Sequence, residues 1–376
     1  MVTTSSAVQA QPPPAAASGE PAVLDRMKGA VTTLLECIGE DPKREGLVDT
    51  PKRVAKAWLD MTRGSGQDHT GAFGSALFHE PCLAAASDGL VLVRDITFAA
   101  LSSSALLPFY GAVHVAYLPR HGTILGLSKL ARVTKVLAAR LQDQAGFTRS
   151  LLAAVVAELA PAGAAVVCVA RQLGGIEAES GPRVTCLAAG ALRRADRLIE
   201  LEAVLDLAPG SLDLGAEGAA GLDTELLIGS GPDHVDAAVR VLVEGVAEAH
   251  GAKVDARALV ASRRYVAWLL RATAGYGAAL PRGAPGALMA SLALPAPTRA
   301  APHSALHLSC HAFSSECEHH LLPFHGTVGF AVLGAAPDAG ALRAAVAAYS
   351  RRLQVQERLT LAGGERREPG GAGALC

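Results

Sequence analysis

The chain has 376 residues, with 34 Lys plus Arg against 35 Asp plus Glu and a formal net charge of −1. It therefore exceeds the usual size of one domain and carries no cationic surplus with which to grip a nucleic-acid backbone. Half the residues are hydrophobic but only 4% are aromatic, and the seven cysteines are odd in number and scattered, which excludes a disulfide framework and calls for a core of Ala, Val and Leu layers.

In chain order, residues 1–22 have no apolar signal region and no basic residue, and read as a disordered tail of a cytoplasmic protein. Val31, Leu34, Leu35 and Ile38 mark one face of a helix that Gly39 ends, and Thr50-Pro51 opens a second helix through Val54, Trp58 and Met61. Residues 90–98 and 111–118 read as strands rich in β-branched side chains, 126–138 and 148–159 as helices, and 166–170 and 183–187 as further strands. The order implies an α+β fold with an antiparallel sheet. The Gly, Asp and Pro-rich stretch 208–233 reads as a linker. No apolar run reaches the roughly 18 residues a membrane span needs, because the richest, 150–173, is broken by Glu158, Pro161, Gly163 and Arg171.

The chain also repeats itself. Leu106-Leu107-Pro108-Phe109-x-Gly111 returns as Leu321-Leu322-Pro323-Phe324-x-Gly326, Arg140-Leu141-Gln142 as Arg352-Leu353-Gln354, and Ala57-Trp58-Leu59 as Ala267-Trp268-Leu269, which hold both tryptophans. Two copies, 23–207 and 234–360, are expected, with a second tail at 361–376.

Three clusters carry chemistry. Cys317-Glu318-His319-His320 places a thiolate and an imidazole three residues apart on a turn, a spacing that suits zinc, with His319 and Glu318 beside it as acid–base groups. The competing reading is a buried Cys beside solvent-facing histidines. Gly126-Leu127-Ser128-Lys129-Leu130-Ala131-Arg132 puts a hydroxyl and two cations at a helix start, as an anion cradle or as an ordinary capped, solvated turn. Gln356 and Glu357 offer groups for the donor edge of a guanine, or form a charged helix face.

Together with Gly39-Glu40-Asp41-Pro42-x-Arg44-x-Gly46-Leu47-x-x-Thr50-Pro51-x-Arg53-Val54-Ala55, these runs strongly resemble GTP cyclohydrolase I, in the tandem form of plants and green algae. The resemblance implies two tandem tunnelling-fold (T-fold) domains, antiparallel sheets with packed helices, and a homo-oligomer whose sites are shared between domains. It implies Cys317 and His320 as zinc ligands, His319 with Glu318 as the catalytic pair, Ser128, Lys129 and Arg132 as triphosphate binders, and Gln356 with Glu357 as guanine readers. The implied reaction is hydrolysis of GTP at C8 to formate and 7,8-dihydroneopterin triphosphate, the first step of folate and pterin biosynthesis.

The two copies depart from the pattern in complementary ways. The first has Ser102-Ser103-Ser104-Ala105 where the family has Cys-Glu-His-His, Ala145 opposite Glu357, and Gln172-Leu173-Gly174 where a later His-x-Cys belongs. The second has Gly340, Ala341 and Ala344 opposite Ser128, Lys129 and Arg132. After Thr360 the chain reads LAGGERREPGGAGALC, without the His-x-Cys that would give the third zinc ligand, so a C-terminally truncated second domain is expected. The alternative is a noncatalytic nucleotide-binding or regulatory subunit.

Overall fold

In the first part of the chain α1 (Glu20–Cys37) and α2 (Thr50–Thr62) form a hairpin, followed by the single turn α3 (Thr70–Phe73). Next come β1 (Leu77–His79), β2 (Val91–Leu101), β3 (Pro108–Leu118), β4 (Thr123–Leu125), α4 (Leu127–Ala138) and α5 (Gln144–Leu159). β5 (Gly163–Gln172), β6 (Arg183–Gly190) and α6 (Ala195–Leu205) complete this part. The second part has α7 (Asp233–Ala249), α8 (Ala256–Ala272), β7 (Leu306–Cys317), β8 (Pro323–Leu333), α9 (Ala339–Ser350), β9 (Leu353–Gln354) and α10 (Gln356–Gly363). This computed structural model describes residues 20–74, 77–80, 89–174, 181–212, 233–254, 256–277, 306–333 and 338–363. Most of the expected linker and of both tails lies outside the described residues, but α1 already starts at Glu20 and α10 runs to Gly363.

The fold is mixed helix and antiparallel sheet, as the element order implies. The larger sheet has the order β2-β3-β5-β6 with every neighbour antiparallel. Its strands alternate small and β-branched residues, so Val113, Val115 and Val166 face α4 and α5, where Leu130, Val133, Leu137, Phe147 and Leu151 complete one core. On its other face Ala165 and Val167 meet Leu201 and Leu205 of α6. The smaller sheet has the order β8-β7-β9, and β9 is parallel to β7 through Glu316–Leu353 and Cys317–Gln354.

A third core joins the two copies. Residues of α1, α2, α7 and α8 share one apolar cluster in which Trp58 meets Tyr265 edge-on at 6.0 Å. Both tryptophans lie in this cluster, where the helical hairpins pack together.

The repeat extends to individual hydrogen bonds. Arg140 Nε donates to the Gly64 carbonyl at 2.9 Å, and Arg352 Nε to that of Gly275 at 3.0 Å. Ser102 N donates to Leu107 O, and Cys317 N to Leu322 O, both at 2.9 Å. Leu106 and Leu321 both adopt the left-handed conformation, with φ of 57° and 50°. At Gly64 a Cβ would overlap the Val136 carbonyl oxygen, and at Gly275 that of Ala348. Gly64→Ala and Gly275→Ala are therefore each expected to cost about 2–3 kcal/mol, read by thermal denaturation. Equal stability of either variant with the parent would contradict these close approaches.

Candidate active site

Cys317 is the last residue of β7 and Pro323 the first of β8, so Glu318, His319 and His320 lie on the connecting turn. Cys317 N donates to Leu322 O and Leu321 N to Cys317 O, and the buried Leu321 pins the turn's base in the core between the copies. This closure leaves the Cys317 and His320 side chains side by side, with Sγ 3.7 Å from Nδ1. Zinc bonds of about 2.3 Å to sulfur and about 2.0–2.1 Å to nitrogen, at a tetrahedral angle, place such ligands about 3.6 Å apart. The pair therefore fits two of four positions around one zinc ion. Among the described residues no third His, Cys, Asp or Glu joins them. Burial, reinforced by His319 and Arg53, lowers the pKa of His320 and favours the neutral imidazole that a metal requires.

His319 is half-buried, its ring 6.2 Å from that of His320 and nearly perpendicular to it. Its Nε2 lies 3.8 Å from Glu318 Oε1. The Glu318 carboxylate itself is only 3% exposed and faces two guanidiniums. Arg358 of α10 donates through Nη1 at 2.6 Å and Nη2 at 2.8 Å, and Arg44, from the loop between α1 and α2, through Nη1 at 3.0 Å. Burial would raise the Glu318 pKa, but the bonds and charges of Arg358 and Arg44 outweigh it and hold the carboxyl below its ordinary value.

The first copy braces the turn further. Arg44 also bonds Glu40, which accepts from the Tyr276 hydroxyl, and that hydroxyl accepts from Leu353 N at 2.9 Å. Thr50 Oγ1 donates to the Glu318 carbonyl at 2.7 Å rather than capping its own helix. Gly46 passes so close that a Cβ there would lie 2.8 Å from Glu318 Oε1. Thr50→Val should lower stability by about 1 kcal/mol, because it leaves the buried carbonyl without that donor. A denaturant midpoint unchanged from the parent would argue against this bond.

Gln356 and Glu357 are exposed in the first turn of α10, and Leu359 and Arg358 anchor that helix to the core and to Glu318. Ser128, Lys129 and Arg132 occupy the start of α4, whose N-cap is Gly126. Ser128 and Arg132 are exposed and Lys129 is half-buried. Among the described residues no hydrogen bond or ion pair links this group to the Cys317 turn. The structure thus brings together Cys317, Glu318, His319 and His320 with α10, and carries the cradle separately on the first copy.

The first copy's counterpart of the turn is a cavity of about 540 Å³ whose lining includes Ser102, Ser104, Gln144, Gln172 and Arg257. Ser102 Oγ and Ser104 Oγ are 3.0 Å apart, and the Gln172 amide donates to Leu107 O and Pro108 O. Hydroxyls and a spent amide replace the thiolate and imidazoles, so these residues offer no soft metal ligand. Sequence reading missed the clamp residues Arg44, Arg358, Glu40 and Tyr276. The available signal was that Arg44 lies inside a run that carries the family resemblance and that Arg358 directly follows Gln356 and Glu357.

A family model described as GTP cyclohydrolase I matches residues 27–200 and 294–362, well over half of the chain. The chain is also similar to three curated proteins named GTP cyclohydrolase 1. That of Neurospora crassa is 43% identical over 144 residues, 38% of this chain and 44% of its own length. That of Geobacillus kaustophilus is 44% identical over 144 residues, 38% of this chain and 73% of its own length. That of Streptococcus gordonii is 40% identical over 170 residues, 44% of this chain and 88% of its own length.

Proposed function

The chain belongs to the GTP cyclohydrolase I family, and on that premise we propose that it hydrolyses GTP at C8, releasing formate and forming 7,8-dihydroneopterin triphosphate for folate and pterin synthesis. The observation that carries the proposal is the 3.7 Å approach of Cys317 Sγ to His320 Nδ1 on a turn braced by both copies. We take each copy as a T-fold unit, 23–207 and 234–360.

Cys317 and His320 would hold zinc, whose chemistry when bound is Lewis-acid activation of water at neutral pH. The third protein ligand is not among the described residues. His319, half-exposed beside a buried carboxylate, is placed to pass a proton to the purine's five-membered ring as C8 is attacked. Glu318 has a different task from the acid–base one expected of it. Its oxygens are engaged by Arg44 and Arg358, so it fixes the turn and orients His319. Gln356 and Glu357 would accept the N–H edge of guanine, and Ser128, Lys129 and Arg132 would bind the triphosphate.

Because no bond links the cradle to the Cys317 turn among the described residues, we place the cradle of one chain against the turn of another, in a homo-oligomer. Lys129→Ala is then expected to raise the KM for GTP about tenfold or more with little change in stability, since the side chain makes no ion pair among the described residues. Formate and pterin released in equal amounts from GTP would support the reaction. A folded, zinc-loaded preparation that leaves GTP unchanged would defeat it.

A further inference from the structure

Glu316 stands one residue before Cys317 on β7, so the strand pleat turns its side chain to the opposite face of the sheet. There it is 2% exposed, and its Oε2 has no hydrogen-bond partner among the described residues. A buried carboxyl with an unmet oxygen is rare enough in folded proteins to require a reason. It lines a cleft of about 650 Å³ between the C-terminal end of β5 in the first copy and the β7–β8 hairpin in the second.

The other walls are of a different kind. Arg171, Arg271 and Arg351 line the same cleft, and all three are exposed. Their guanidiniums form no ion pair among the described residues. Trp268, from α8, supplies an aromatic wall, packed so closely against the chain at Gly174 that a Cβ there would lie 3.0 Å from its Nε1. His325 adds a further nitrogen donor or acceptor at the rim. Three exposed guanidiniums around one opening suit a ligand with several anionic oxygens, because each fork matches a phosphate. A bare anion would leave Glu316 unmet. The ligand must also carry a hydrogen-bonding head that reaches the floor past an aromatic surface, and the cleft has the volume of a small-ligand site.

We propose that this cleft is a second nucleotide site, distinct from the Cys317 turn, which takes a nucleoside diphosphate with its phosphates on Arg171, Arg271 and Arg351 and its base against Trp268 and Glu316. It lies across the contact between the copies, and occupancy would tie the first copy's sheet to the hairpin that carries the metal-binding turn. The assignment is independent of the reaction proposed above.

The test is calorimetric titration of GDP, with inorganic pyrophosphate as control, into the full chain carrying Lys129→Ala and Arg132→Ala so that the α4 cradle is silent. GDP should bind at least tenfold more tightly than pyrophosphate. Adding Arg271→Ala with Arg351→Ala should weaken GDP at least tenfold, and adding Glu316→Leu should bring GDP down to the level of pyrophosphate. Glu316→Leu removes an unmet buried polar group, so its melting temperature should not fall, which separates lost binding from lost folding. GDP binding unchanged in both variants would overturn the site. Loss in the arginine variant alone would reduce the cleft to an anion site and overturn the nucleoside assignment.

Discussion

Cys317→Ser is expected to abolish zinc retention and to lower pterin formation from GTP by about 10³-fold or more. A serine hydroxyl is not deprotonated at neutral pH and is a poor zinc ligand, whereas a thiolate is a strong one, and loss of the metal removes several kcal/mol of transition-state stabilisation. The fold should survive, because Cys317 is only partly buried and the bonds that close its turn run through backbone atoms. Elemental analysis, far-ultraviolet circular dichroism and a fluorescence assay of oxidised pterin would read the three effects on one preparation. Retained zinc with retained turnover would mean that the metal is held elsewhere.

Glu318→Gln should produce a large, pH-dependent loss of stability. The substitution keeps the shape of the side chain but leaves Arg44 and Arg358 facing each other across a nearly buried site without their shared anion. The guanidiniums are each about one third exposed, at 31% and 32%, so solvent screens part of the loss. About 2–3 kcal/mol remains, from the charge-assisted bonds and the repulsion left behind. The pH dependence has a definite sign. Because the folded carboxyl has a lowered pKa, its stabilisation is fully present above the ordinary carboxylate value and is lost as pH falls through the folded value. The difference in melting temperature between parent and variant should therefore be about 3–4 °C at pH 7 and should shrink below about pH 4. A difference independent of pH would show that the carboxylate charge is not what holds the turn.

The parts of the fold that local pattern controls were readable in advance. Frequent β-branched residues announced most of β2 and β3, with parts of β5 and β6 read beside them. Apolar spacing announced α1 and α2, and the Gly126-Leu127-Ser128 start announced α4, while α5 begins four residues before its expected start because Asp143 caps it through Gly146 N. What escaped depends on distant partners. β1 and β4 are three residues each and exist only because they pair across some forty residues, and the parallel contact of β9 with Cys317 needs the whole second copy in place. α6 went unread because its apolar stripe is short and has meaning only against the outer face of the large sheet.

The site divides along the same line. Cys317 and His320 are three residues apart, and a turn alone can bring them together. Arg44 and Glu318 are 274 residues apart, and their contact follows from the packing of α1, α2, α7 and α8 into one core. That packing also explains why Thr50 reads as a cap from sequence yet serves the neighbouring copy, since its hydroxyl finds a stronger use on the Glu318 carbonyl.

In the proposed reaction one site is assembled from complementary halves, the Cys317 turn of the second copy and the Ser128, Lys129 and Arg132 group of the first. The most direct measurement mixes two impaired chains, Cys317→Ser and Lys129→Ala with Arg132→Ala, after partial denaturation and refolding to exchange subunits, and follows pterin formation at GTP well below the KM of the cradle variant. Zinc-dependent activity in the mixture should rise above that of the two variants measured separately, because some sites then join an intact turn to an intact cradle. No recovery, with mixed oligomers demonstrated by mass, would contradict a site shared between chains.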